Sequence, residues 1–120
     1  MISLDFSDNG ISDHGMSAIK YIIKLGLFEK LNLVSNMISA EGLEILCDTL
    51  SLSHSVRKLD FGVSKGSMRK NSMENRGALS LATIIYENGH ETIKKPYESR
   101  KIYRFLAALG HEPSLIEVGK

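Results

Sequence analysis

A chain of 120 residues with 15 basic against 14 acidic side chains and a formal net charge of +1 lacks the basic excess of an electrostatic nucleic-acid binder, and its length suits one domain of modest size. No apolar run approaches a bilayer span, and the N-terminal MISLDFSDNG has neither the basic start nor the apolar stretch of a secretory signal, so a cytoplasmic setting without a membrane partner is expected. The single cysteine, Cys47, excludes an internal disulfide, and its place on an apolar helix face predicts a small core residue rather than a reactive thiol.

The first unit, residues 1–27, opens with the alternating pair Leu4 and Phe6. A bend follows at Asn9, then a helix start at Ser12 and Gly15 and an apolar helix face of Met16, Ile19, Ile22 and Ile23. The second unit, 28–55, repeats it at an offset of 27: Leu31, Leu33, Asn36, Ile38, Ser39, Gly42 and Leu46 stand where Leu4, Phe6, Asn9, Ile11, Ser12, Gly15 and Ile19 stood. Its spacing predicts a strand over Lys30 to Leu33, a turn anchored on Asn36 and a helix from about Ala40 to Leu50 with Leu43, Leu46, Cys47 and Leu50 on one face. Ser12 and Ser39 sit where a helix N-cap is wanted, and the glycines three residues on are expected to let each helix approach its neighbour closely.

The third unit, 56–91, begins in register, with Val56, Leu59 and Phe61 on Phe28, Leu31 and Leu33 at an offset of 28. It then returns at an offset of 35, with Asn71, Gly77, Leu81 and Ile85 on Asn36, Gly42, Leu46 and Leu50. About seven extra residues therefore fall near 62–70. Ser64 stands where an unbroken count would place asparagine. The insertion holds two glycines, small polar residues and the cations Lys65, Arg69 and Lys70, and it is expected to protrude as a mobile loop available for contact. A helix follows from about Glu74 to Tyr86, with Ala78, Leu81, Ala82 and Ile85 on one face. Beyond residue 91 the repeat fails. Residues 92–120 are expected to form a cap, with a helix over Glu98 to Leu109 presenting Ile102, Phe105, Leu106 and Leu109, and a short edge strand in Ser114 to Val118.

The pattern LxxLxLxxNxIS, followed by glycine and a helix with apolar residues every three to four positions, resembles the leucine-rich repeat family in its longer ribonuclease-inhibitor-like subtype. Phe28, Leu31, Leu33, Asn36, Ile38, Ser39, Gly42, Leu46 and Leu50 match that motif position by position. The resemblance implies an α/β fold: a short right-handed solenoid of about three strand-helix repeats with a parallel sheet, closed by a C-terminal capping helix. A repeat of this length cannot bury its own apolar face and must stack on the next. Met1 already occupies the slot held by Phe28 and Val56, leaving no sequence to cover the outer edge of the first unit. Self-association through that edge is expected, or else the polypeptide is a piece of a longer array.

Catalytic and cofactor constellations are missing from the sequence. His14, His54, His90 and His111 lie on different elements without metal-ligand spacing, and no HExxH, CxxC, GxSxG or phosphate-loop motif occurs, so a non-enzymatic protein without cofactor or metal is expected. Asp13 beside His14 and Glu91 beside His90 read as surface residues. The resemblance implies binding of another protein through outward strand residues that align in columns on the concave face. These are Ser3, Lys30 and Lys58; Asp5, Asn32 and Asp60; and Ser7, Val34 and Gly62. Alternatives are regulation of a small GTPase, as in some proteins with similar repeats, or a nucleic-acid or lipid contact through the basic cap residues Lys94, Lys95, Arg100, Lys101 and Arg104. A host-directed effector acting in a host cytosol and a fragment of a larger sensor fit the same residues.

Overall fold

The computed structural model describes residues 2–53, 55–87 and 115–118. The cap helix expected over 98–109 and the basic residues around it lie outside the described residues. In order come β1 (Ser3–Asp5), a single 3-10 turn (Asp13–Gly15), α1 (Met16–Lys24), β2 (Lys30–Asn32), α2 (Ala40–Leu52), β3 (Lys58–Asp60), α3 (Glu74–Glu87) and β4 (Leu115–Glu117). The strands form one sheet in the order β1-β2-β3-β4. The first three run parallel and pair Leu4 with Leu31 and Leu31 with Leu59, the register that the sequence offset demands. β4 closes the far edge antiparallel to β3, with Ile116 opposite Leu59. The short strand expected at the edge is thus present.

Two layers follow from the two periodicities. The central strand residues Leu31 and Leu59 are buried against the helices, and so are Leu33 and Phe61 just past the strand ends. They meet Met16, Ile19 and Ile23 of α1, then Leu43, Leu46, Cys47 and Leu50 of α2, then Ala78, Leu81, Ala82 and Ile85 of α3, in one continuous apolar cluster. α2 lies between α1 and α3 and packs on both. Cys47 is a buried free thiol, and burial pushes it far above its ordinary range, with Asp48 and Glu44 adding to the effect.

Between the strands and helices a ladder of asparagines joins the units. Asn36 is fully buried and its Oδ1 accepts from the backbone N–H of Asn9 and Ile11 in the preceding unit at 3.0 and 3.2 Å. Its Nδ2 donates to the carbonyl of Phe6 at 2.9 Å. Asn71 does the same for the second unit, accepting from Asn36 and Ile38 N–H at 3.0 and 2.9 Å and donating to the Leu33 carbonyl at 2.8 Å. The third unit's insertion is therefore spliced in ahead of its ladder asparagine. Asn71 fills the slot that Ser64 would hold by an unbroken count, while the Ser64 N–H donates to Ser35 Oγ at 2.7 Å.

The helix starts differ from expectation in one unit. Ser39 caps α2, with its hydroxyl accepting from the Glu41 N–H. Ser12 makes no such bond and sits at φ 59°, because a 3-10 turn intervenes and α1 begins only at Met16. The difference traces to Asp13. Its carboxylate accepts from the Ser39 N–H at 2.8 Å and from the Ser39 hydroxyl, holding that serine in the extended conformation from which it caps. Among the described residues nothing performs that service for Ser12. Gly42 is what lets Asp13 in, since a Cβ there would overlap the Asp13 carboxylate, so the close approach expected of this glycine is met.

Candidate protein-binding surface

The face of the sheet away from the helices is built from the outward residues of three-residue strands. Pairing sets Ser3 beside Lys30 and Lys30 beside Lys58, and likewise Asp5 beside Asn32 and Asn32 beside Asp60. Ser3 and Asp5 are exposed and the other four half-buried, so two aligned rows reach solvent. In the backbone register β4 sets Glu117 opposite Lys58 and Leu115 opposite Asp60.

The third expected column does not form. Val34 is only 2 % exposed, and Gly62 is buried, leaving Ser7 as its half-buried remnant. β2 ends at Asn32, so residue 34 lies beyond the strand and two-residue alternation no longer governs its direction. Val34 is a core residue, not a contact residue.

The middle row also carries a duty within the chain. Asp5 Oδ1 accepts from the Ser7 N–H at 2.8 Å, Asn32 Oδ1 from the Val34 N–H at 3.0 Å, and Asp60 Oδ1 from the Gly62 N–H at 3.5 Å. Each short polar side chain thus closes the backbone two residues on as the strand turns away. Hydrogen bonding from Ser7, side chain first and backbone second, holds the Asp5 carboxyl below its ordinary value, with a smaller contribution from Lys30. One oxygen of each carboxylate is thereby committed to its turn, which leaves Lys30 and Lys58 as the row with charged ends not spent on capping.

The insertion does not stand out from the body as expected. It lies back along the turns of the first two units: Ser67 Oγ donates to Asp8 Oδ1 at 2.9 Å, and Arg69 Nη1 donates to the Asp8 carbonyl at 3.2 Å and meets Asp8 Oδ1 at 3.3 Å. The Arg69 side chain crosses directly over Gly10. Arg69 is consequently engaged within the chain, whereas Lys65, Met68 and Lys70 are exposed, Met68 at 92 %. Position 8, at φ 57°, and position 10 form a left-handed turn that recurs 27 residues later at Ser35 and Met37, and this turn presents Asp8 to the loop.

At the opposite end of the helices a cleft of about 460 Å³ opens between the C-terminal turns of α1 and α2, lined by Lys20, Ile23, Lys24, Asp48, Thr49 and Leu52 among others. Apart from Ile23, which the repeat pattern placed on the apolar helix face, these positions were not singled out in the sequence, because the cleft arises from the spacing of two helix ends. The second residue missed in sequence is Asp13, whose carboxylate serves Ser39 rather than His14. The signal available was Gly42, a position without Cβ facing the preceding unit. Among the described residues no group of three or more His, Cys, Asp or Glu side chains is placed to hold a metal ion. Nor is any described helix long and apolar enough to cross a membrane.

Residues 1–20, covering β1, the asparagine turn and the start of α1, match the family model described as a leucine-rich repeat. Over that first unit the chain is similar to a leucine-rich repeat. No curated protein and no solved structure matches it. Such repeats commonly mediate protein-protein interaction.

Proposed function

We propose that the chain is a non-enzymatic protein-interaction module, cytoplasmic in setting, that grips a partner protein across the outward face of its sheet. The observation that carries this reading is the aligned pair Lys30 and Lys58, half-exposed and bracketed by the row Asp5, Asn32 and Asp60. Parallel rows of fixed side chains on a rigid sheet lose little conformational freedom on binding, which favours recognition. Lys65 and Lys70 of the insertion are further exposed cations. The three units are read as a short right-handed solenoid of the ribonuclease-inhibitor-like subtype. Support comes from parallel strands joined through helices, a connection that is right-handed in about 98% of cases.

The test is affinity capture from lysate with the intact chain and with a K30E/K58E variant. Both lysines are half-exposed and make no turn-closing bond, so the variant keeps the wild-type circular dichroism and thermal midpoint. Proteins retained by the wild type should be lost. Equal retention by both chains would move the binding surface elsewhere. Reversal at Asp5 or Asp60 is a poorer probe, because each also closes its own turn.

A further inference from the structure

Two long apolar side chains stand exposed where strands hand over to helices: Met37 at 52 % and Met68 at 92 %. Met37 is held at φ 61°, a left-handed conformation that residues with a Cβ rarely adopt, and the first unit places Gly10 at the equivalent position, at φ 64°. Packing does not account for keeping a long side chain on that backbone, since half of it reaches solvent. Strain retained without a matching gain in burial points to a use at the surface.

The insertion brackets this residue. The Ser64 N–H donates to Ser35 Oγ at 2.7 Å on one side of Met37, and the Ser72 N–H donates to the Ile38 carbonyl at 2.8 Å on the other. Between those two ties the loop reaches the turn of the first unit. Ser67 Oγ donates to Asp8 Oδ1 and accepts from the Arg69 N–H at 3.1 Å, while Arg69 Nη1 donates to the Asp8 carbonyl. Met68 is the residue between these two anchors, so its thioether is presented from a fastened backbone and loses less freedom on contact than one on a loose arm.

The charge around the two methionines is one-sided. Between Gly62 and Met73 the chain carries Lys65, Arg69 and Lys70 and no acidic residue. Asp8 matches Arg69 at 3.3 Å, which leaves Lys65 and Lys70 exposed and without an ion pair among the described residues.

We propose that Met37 and Met68, flanked by Lys65 and Lys70, form a docking site for an acidic peptide segment. Its apolar side chains rest on the two thioethers and its carboxylates meet the two lysines. Methionine suits the task, because an unbranched, polarizable side chain moulds itself to apolar groups of different shape. A nucleic acid would use the cations through its phosphates and leave the methionines without a role, so the apolar pair favours a peptide. The site lies on the strand-to-helix turns, apart from the outward face carrying Lys30 and Lys58, and does not rest on the reading of that face.

The experiment follows the methionine methyl signals of the intact chain, labelled with carbon-13, as a short synthetic peptide alternating leucine with glutamate is added. The Met37 and Met68 signals should move together and saturably, while those of Met16 and Met73, 1 % and 7 % exposed, stay in place. Met37→Gly and Met68→Ser should each weaken binding about fivefold, as expected for losing part of a buried methionine's contact. Met37→Gly also relieves the left-handed strain, so that variant should bind less tightly while melting no lower than the wild type. Lys65→Glu combined with Lys70→Glu should weaken binding about tenfold and reduce its dependence on salt. Peptides alternating leucine with lysine, or serine with glutamate, should not saturate the site. Equal binding by either control peptide or by an oligothymidine, unmoved Met37 and Met68 signals, or unchanged affinity of Met37→Gly would each overturn the proposal. The K30E/K58E variant should bind the peptide as the wild type does; loss of binding there would assign the peptide to the sheet face and overturn the separate site.

Discussion

Replacing Asn71 by alanine removes the side chain that joins the second unit to the third. Two backbone amides, Asn36 and Ile38, lose their acceptor, and the carbonyls of Leu33, Phe61 and Gly62 lose a shared donor. Water cannot substitute freely, because Asn36 and Ile38 are fully buried and Asn71 itself is 9 % exposed. An orphaned buried polar group costs about 1–3 kcal/mol. Counting the two amides in full and letting the carbonyls relax toward their other partners gives a loss of roughly 3–5 kcal/mol. Against the roughly 5–15 kcal/mol that holds an ordinary domain together, that is enough to lower the thermal midpoint by roughly 10–20 °C. The measurement is urea and thermal unfolding followed by circular dichroism, beside Ser72→Ala as a control whose exposed side chain makes none of these junction bonds. Hydrogen exchange should show the Asn36 and Ile38 amides losing protection first. A variant within about 1 kcal/mol of the wild type would refute the claim that the ladder carries the junction, since it would mean the apolar cluster suffices alone.

Three further outcomes follow from the same geometry. Gly42→Ala should destabilise by about 1–3 kcal/mol by pushing Asp13 off Ser39, and adding Asp13→Ala should recover part of that loss in a double-mutant unfolding cycle; strict additivity would disprove the contact. Met37→Gly should stabilise by about 0.5–1 kcal/mol, because Met37 stands at φ 61° with its side chain half in solvent while Gly10 holds the equivalent place in the first unit. A lower urea midpoint would contradict this. Cys47, 3 % exposed with its thiol pushed up by burial, should react with a thiol reagent only as fast as the chain opens, in step with urea-induced unfolding. Rapid labelling of the native chain would place it outside the core.

The three offsets in the sequence determined the strand register, the helix faces and the location of the ladder asparagines, because those depend on local periods of two and three to four residues that every unit repeats. The first column pair on the sheet face was legible for the same reason: Ser3, Lys30 and Lys58 are held by one register. Val34 was misread because the strands last only three residues, so counting by twos ran past the end of β2. The insertion was misread because composition reports what a segment can pack with itself, not that Asp8, 61 residues away, presents a carboxylate and a carbonyl to Arg69. Asp13 is the sharpest instance. Its sequence neighbour is His14, yet its partner is Ser39, and only stacking of the units brings that serine within reach while Gly42 leaves room for the carboxylate. Short-range spacing is written along the chain and can be read there. Contacts between units depend on how the stacked layers approach, and the folded molecule alone decides them.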